Sequence, residues 1–435
     1  MTTRTQTSMN QVFQKPRGTI DWYGTKLSNL KTIEEAIKQL ANCYGYSEIR
    51  TPIFEHTEVF VRCVGETSDI VTKEIYNFDD KGGRNITLRP EGTAGVIRAV
   101  NEDKLLQKTN FPLRLYYTGP IFRYERPQSG RARQFHQFGF EILNTQSNVD
   151  DLDVLLLAYD IVKHLQLSKY HVELNCIGSL ETRAKWIKAL QDYFKDYVNQ
   201  LSEDSQKRLA TNPLRILDDK EDGKKDFVKN APSITLFLSD QEKKNFSELT
   251  NVLTSLHVPY VINYGLVRGL DYYTDLVFEF VSDLNELKGQ STFCGGGRYN
   301  NLIAELGGIN AQGVGFAFGL ERLLIQYQVE HNLSDEGFSN DSDLCVINLG
   351  NDPFAIEVLV HALRVKHLSV AYEPSITKLN QGFKFAQLMH AKFVFIIGQK
   401  EWTNHQITIK NQQDFNQQTI NLTDLDSFLI NNKLI

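Results

Sequence analysis

The stretch "FRYERPQSGRARQFHQFGFE", residues 122–141, carries Arg123, Arg126, Arg131 and Arg133 around a Gly-containing turn. Only Glu125 and Glu141 lie inside it to pair them. Guanidinium groups are planar, always charged and bidentate, so a cluster of them suits phosphate. A surface hairpin with solvated arginines is the bland alternative, and spacing alone leaves both open. In a strand, alternation puts Arg133, Phe135, Gln137, Gly139 and Glu141 on one face. That face offers an aromatic plate, an amide, a gap and a carboxylate. The other face, with Phe138, Phe140 and Ile142, reads as core. Arg123 ends the partner strand and can project over the same surface.

Four more stretches carry groups of this kind. "TLRPEGT" places Arg89, Glu91 and Thr93 at a turn before a helix. Glu91 there either meets an ammonium group or caps the helix. "LVRGLDYYTDLVFEF" adds Arg268, Asp271, Tyr272 and Tyr273. Its alternation sends Leu276, Phe278 and Phe280 to the core, with Tyr273, Asp275 and Glu279 opposite. "CGGGRYNNL" holds Gly295, Gly296 and Gly297, which permit either close approach of a ligand or backbone, or a tight turn. "GLERLL" sets Glu321 and Arg322 on an apolar helix, where a charge needs a partner. A triphosphate or a protein carboxylate would serve.

Other chemistries lack their residues. No G-x-x-x-x-G-K-[ST], G-x-G-x-x-G or H-E-x-x-H occurs. A nucleotide would have to be held by arginines on an antiparallel sheet. The five cysteines are scattered without C-x-x-C, which excludes a disulfide framework and fits a reducing, cytoplasmic setting. No apolar run is long enough to span a membrane, and no signal-peptide core precedes Ile20. Residues 1–17, with Arg4, Lys15 and Arg17 and no acid, read as a frayed terminus or a short targeting segment. The net charge of −6 leaves nucleic acid to local basic surface.

The elements that must position these groups follow from periodicity. Ile33, Ile37, Leu40 and Tyr44 form a helical stripe in 31–44. "YSEIRTPIFE" reads as an edge strand because it contains Pro52. "NITLRPEGTAGVIRAV" reads as strand, turn and helix, and two strands flank the loop "RPQSGRA". Helix "DLDVLLLAYDIVKHL" and strand "YHVELNCIG" follow. Residues 178–258 read as an inserted helical subdomain. "TFCGGGRYNNLI" is expected to enter a Gly-rich turn, and "GVGFAFGLERLLIQY" to form an apolar helix. A polar linker, 329–343, precedes strands and helices that alternate as in a small parallel α/β domain.

Each signal alone is weak, but their order is not. "RPEGT", the arginine hairpin, "LVRGLDYY", "CGGGRYNNL" and "GVGFAFGLERL" together resemble the histidyl-tRNA synthetase family of class II aminoacyl-tRNA synthetases, in its bacterial form. The resemblance runs from about Lys15 to the C-terminus. It implies an α+β fold: a six-stranded antiparallel sheet core flanked by helices, a helical insertion and a C-terminal α/β anticodon-binding domain. The core would be 1–177 with 259–328, the insertion 178–258 and the anticodon domain 344–435. It implies L-histidine, ATP with Mg2+, and tRNA(His) as substrates, and a homodimer with Pro52 near the interface.

Carried over position by position, Arg123 and Arg268 would be catalytic at the α-phosphate. Arg131 and Arg322 would hold the outer phosphates. Phe135 would stack on adenine, with Arg322 covering its other side. Glu91, Thr93 and Gln137 would cradle the amino group, while Glu141 and Tyr273 would bond the imidazole. Arg268 would also border the histidine. Gln128 matches a position tied to the extra guanosine at the tRNA 5′ end.

The family also contains a non-catalytic paralogue that regulates ATP phosphoribosyltransferase. It tends to lose the motif arginines and the C-terminal domain, and both are present here. An ATP-dependent carboxylate activator without an RNA partner is a third reading. Residues 341–435 hold eight Lys and Arg against nine Asp and Glu, so charge there does not argue for RNA. Taken without the resemblance, that region is a generic α/β module.

Overall fold

The computed structural model describes residues 13–65, 68, 70–145, 147–217, 219, 221–268, 270–334, 337 and 341–435. The segment 1–12 and linker residues 335, 336 and 338–340 lie outside the described residues. Contacts divide the chain into two units. One comprises residues up to Asp21 and Asn29–Leu333, the other Trp22–Ser28 and Ser334–Ile435.

The first unit is built on one sheet. Its strands, with those of a smaller sheet, are β1 (Ser47–Glu48), β2 (Phe54–His56), β3 (Tyr76–Asp79), β4 (Asn85–Leu88), β5 (Leu113–Phe122), β6 (Gln134–Leu143), β7 (Tyr170–Cys176), β8 (Val261–Ile262), β9 (Thr274–Ser282), β10 (Thr292–Tyr299) and β11 (Gly313–Gly319). The large sheet runs β1-β5-β6-β11-β10-β9-β7-β8. Its six inner strands pair antiparallel, while the two-residue edges β1 and β8 pair parallel to β5 and β7. β2, β4 and β3 form the second, three-stranded sheet.

The hairpin β5–β6 pairs Leu113 with Leu143 and Phe122 with Gln134, which fixes the face of every residue between. Phe138, Phe140 and Ile142 are fully buried, as the alternation requires. Phe140 stacks on Phe316 of β11 with centroids 4.8 Å apart. The opposite face of β6 is left for the site.

Three sequence expectations fail here for physical reasons. "GVGFAFG" is strand β11, and the helix starts only at Leu320 (Leu320–His331). The period is two: Val314, Phe316 and Phe318 are buried on one side, with small residues on the other. Each glycine also costs about 1 kcal/mol in a helix. The glycine run 295–297 lies inside β10 and not in a turn. A Cβ on Gly296 would collide with the Gly315 carbonyl of β11, and one on Gly297 with the Leu276 carbonyl of β9. "YSEIRTPIFE" splits into β1 and β2 on either side of Pro52, each at the edge of its own sheet. The first helix is also longer than its stripe, running Gly24–Cys43.

Residues 178–258 are helical, with Leu180–Phe194, Glu203–Thr211 and Asp240–Ser255 the longest elements. Ser239 and Glu242 cap the last of these reciprocally. These helices bury their own apolar cluster around Trp186, Leu190, Phe194 and Ile216.

The second unit carries β12 (Leu344–Leu349), β13 (Val370–Tyr372), β14 (Phe393–Gly398), β15 (Gln406–Asn411) and β16 (Gln417–Asn421) in the order β13-β12-β14-β15-β16. β12, β13 and β14 are parallel as expected, but β15 and β16 add an antiparallel ribbon. The sheet is therefore mixed. β15 turns Ile407 and Ile409 into the core of this unit, while β16 is largely exposed. Helix Leu320–His331 also runs into the first residues read as linker.

Candidate active site

A cavity of about 610 Å³ opens on the site face of β6, β11 and β10. It is lined by Glu91, Thr93, Arg123, Arg131, Phe135, Gln137, Glu141, Arg268, Tyr273 and Arg322. Ten residues singled out along 232 positions of sequence thus meet in one place. Gln128 does not join them. It sits in the exposed hairpin turn, bonded through its backbone to Arg131.

At one end lie two buried carboxylates. Glu141 accepts a 2.6 Å hydrogen bond from the Thr93 hydroxyl and another from the Tyr299 hydroxyl. Burial pushes its pKa up to about 8, against the pull of both hydroxyls. Glycine is required at 315, because a Cβ there would overlap the Glu141 carboxylate. Glu91 accepts from the backbone N–H of Thr93 at 2.8 Å and of Ala94 at 2.7 Å. It caps the helix Thr93–Glu102, and its pKa is nevertheless raised by burial. Gln137 presents a buried Oε1 with no partner. Arg89 is turned away, donating to the Pro120 carbonyl at 2.8 Å.

At the other end the arginines are not idle. Arg131 pairs with Glu125 and, at 3.5 Å, with Glu74. Arg131 thus has one acid from inside the stretch, Glu125, and one from outside it, Glu74. Arg133 lies over the Tyr124 ring at 4.2 Å and leaves the cavity. Arg123 donates Nε to the Pro90 carbonyl at 2.8 Å and sits 5.5 Å from the Phe135 centroid. Arg322 donates to Gly130 O, Thr292 O and Gln290 Oε1, each at 2.7 Å. All three are neutral acceptors. Burial first, then Arg123, lowers its pKa to about 10. Its neighbour Glu321 turns away to the His136 backbone N–H and ring.

Arg268 stands between the ends, ion-paired with Glu279, which also accepts from Thr292 at 2.6 Å. Burial works against its charge, but Glu279 outweighs it and raises the pKa. A Cβ on Gly295 would come within 2.6 Å of this guanidinium, so the glycine run admits a side chain of the protein itself. Among the described residues no group of three or more His, Cys, Asp or Glu is placed to hold a metal ion.

A family model described as histidyl-tRNA synthetase matches residues 18–323, and one described as anticodon binding domain matches 343–432. The chain belongs to the histidyl-tRNA synthetase family. It is 45% identical over 417 residues to a histidine–tRNA ligase of Ureaplasma parvum, spanning 95% of this chain and 98% of that one. A Malacoplasma penetrans histidine–tRNA ligase is 43% identical over 418 residues, spanning 96% and 97%. The crystal structure of apo S. aureus histidyl-tRNA synthetase superposes with a TM-score of 0.78 at 35% identity, covering 96% of this chain and 99% of that one. The antiparallel core and C-terminal domain agree with the class II synthetase fold.

In this synthetase-family cavity, five lining residues were not singled out from the sequence. Tyr299 holds Glu141, yet it stood in the quoted "CGGGRYNNL" with nothing to mark it. Glu74 comes from a segment without a motif. Arg208, Arg215 and Asp219 reach the cavity from the helical insertion, where no motif marks them. One grouping is corrected: Asp275 does not share the site face with Tyr273 and Glu279. Its φ of 50° breaks the alternation, and it lines a separate cavity of about 210 Å³ beside Arg298 and Asn300.

Proposed function

We propose that the chain is a histidine–tRNA ligase. It activates L-histidine with ATP and transfers the histidyl group to the 3′ end of tRNA(His). The observation that carries the reading is the convergence of a hydroxyl-held carboxylate, Glu141, and three cavity-facing guanidiniums, Arg123, Arg268 and Arg322, in one cavity.

In the first step a histidine carboxylate oxygen attacks the α-phosphorus of ATP and pyrophosphate leaves. Arg123 and Arg268 stabilise the charge that grows on the α-phosphate, as fixed donors do in a water-poor site. Arg322 and Arg131 take the outer phosphates, and Phe135 with Arg322 brackets the adenine. The orphaned Gln137 Oε1, with Glu91 and Thr93, receives the amino group. Glu141 and Tyr273 bond the two imidazole nitrogens, and an analogue without them would leave a buried carboxylate unpaired. In the second step a ribose hydroxyl of the tRNA attacks the acyl carbon and AMP leaves. Mg2+ enters as part of the nucleotide substrate.

The proposed division is a core of 1–177 and 259–328, an insertion at 178–258, a linker at 329–343 and an anticodon-binding domain at 344–435. Gln128, in the exposed turn, is the proposed contact to the tRNA 5′ end. We read the protein as a homodimer; exposed Ile53 and Phe54 beside Pro52 support that segment as interface. Five free cysteines support a cytoplasmic setting. The regulatory paralogue is the weaker reading, because the motif arginines and the anticodon-binding match are both present.

Histidine-dependent exchange of pyrophosphate into ATP, followed by charging of tRNA(His), tests the assignment. Exchange that ignores histidine, or its absence altogether, would overturn it. Light scattering that gives a monomer at micromolar concentration would overturn the dimer.

A further inference from the structure

The chain around Arg268 is a seam between two apolar cores. Leu266, Tyr272 and Tyr273 pack into the core of the catalytic sheet. Val267, directly before Arg268, packs into the cluster of the helical insertion with Trp186 and Leu190. Two polar ties cross the same seam. Arg183 of the insertion donates to the Tyr273 carbonyl at 2.6 Å, and Asn212 donates Nδ2 to Asp271 Oδ1 at 2.9 Å. On the sheet side, Asn175 donates to the Leu266 carbonyl at 3.0 Å. The insertion thus grips this segment just before Arg268 and again at 271 and 273.

We propose that Arg183 and Asn212 are positioning residues for adenylate formation, acting through Arg268 and Tyr273. The inference rests on the synthetase reading of the cavity. Its logic is geometric. Among the described residues Arg268 has one ion-pair partner, Glu279, and a ring contact with Tyr273 of its own segment, and its backbone belongs to no strand, since β9 begins only at Thr274. Without the sheet ladder, the segment depends on side-chain ties for its register. Neither Arg183 nor Asn212 lines the cavity, so neither touches substrate. Both are the insertion's means of fixing a guanidinium that has to meet the α-phosphate within a few tenths of an ångström.

The test is histidine-dependent pyrophosphate exchange by the full-length protein, expressed per active site titrated by stoichiometric adenylate formation. Arg183→Gln and Asn212→Ala are expected to lower the rate per site by roughly 10- to 100-fold with the ATP KM little changed. Arg183→Lys, which can still donate to the Tyr273 carbonyl, should recover most of the loss. In an Arg268→Lys background the Arg183 and Asn212 changes should add little, because the group they position is already displaced. Wild-type rates per site in both variants, loss confined to the number of titratable sites, or full additivity with Arg268→Lys would each overturn the proposal. If Arg183→Gln fails to fold, Asn212→Ala decides alone. A wild-type protein without histidine-dependent exchange would instead overturn the synthetase reading, and this proposal with it.

Discussion

The two ends of the cavity solve opposite electrostatic problems. Around Glu141 the titratable groups are buried carboxyls, and they are held by hydroxyls and backbone N–H groups. Around Arg322 the charges are cationic; Arg322 itself is held by carbonyls and an amide, and Arg131 by the acids Glu125 and Glu74. The first end raises carboxyl pKa values, while the second lowers that of a guanidinium. Each end therefore stores a preference for the opposite charge. A ligand with a hydrogen-bond-donating ring at one end and phosphates at the other relieves both. On the proposed reading, selectivity belongs to the first end and charge stabilisation to the second.

Arg268 joins the two, so removing it should give the largest effect. Arg268→Ala is expected to slow adenylate formation by about 10²- to 10³-fold, the usual loss of one preorganised donor. Histidine affinity, measured by calorimetry without ATP, should hardly move. Comparable losses in both would merge the two ends into one and remove the assigned role.

Glu141→Gln should separate them. A hydrogen bond to a charged group is worth about 1.5–3 kcal/mol, so histidine KM should rise roughly 10- to 100-fold while ATP KM stays level. Gly315→Ala should also raise histidine KM, because the new methyl meets both the Glu141 carboxylate and the Phe140 carbonyl of β6. Equal damage to both KM values in either variant would reject the division.

Glu141 also makes the comparison visible in stability. Burial raises its pKa from 4.5 to about 8, so the folded chain holds this proton more tightly than the unfolded chain. That stabilisation is complete below pH 4.5 and is lost as pH rises towards 8. Glu141→Gln, neutral throughout, should therefore match wild type in acid and exceed it by a few kcal/mol above pH 8, in ligand-free denaturant unfolding. A constant difference across the range would mean that Glu141 has the same pKa in the folded and unfolded chain, and that burial does not raise it.

The legibility of the two ends differs in the same way. Strand alternation sufficed to put Phe135, Gln137 and Glu141 on one face, because β6 is regular and half of it is core. It failed at Asp275, where a left-handed residue interrupts the period. Glycines misled it twice. "GVGFAFG" and "CGGG" look like a helix start and a turn, yet they are strands stripped of side chains so that Glu141, Arg268 and a neighbouring carbonyl fit. What no local pattern carries is partnership across long separations. Glu74 with Arg131, Tyr299 with Glu141 and the insertion's arginines in the cavity all depend on tertiary folding.

The smallest effect lies with that hidden acid. Glu74 faces Glu125 beside Arg131 and Arg123, and burial first, then Glu125, lifts its pKa to about 7. Below that pH it is neutral and leaves Arg131 to Glu125. Above it, a second negative charge stands where outer phosphates are proposed to bind. Wild-type ATP KM should therefore climb as pH passes about 7, whereas Glu74→Gln should stay flat and bind ATP a few-fold better on the alkaline side. The ratio of the two KM values at each pH cancels the titration of ATP itself, so the step near 7 belongs to the Glu74–Glu125 pair. Parallel profiles would show that the charge is already neutralised by Arg131 in the folded protein, and the cationic end would then be closed to pH.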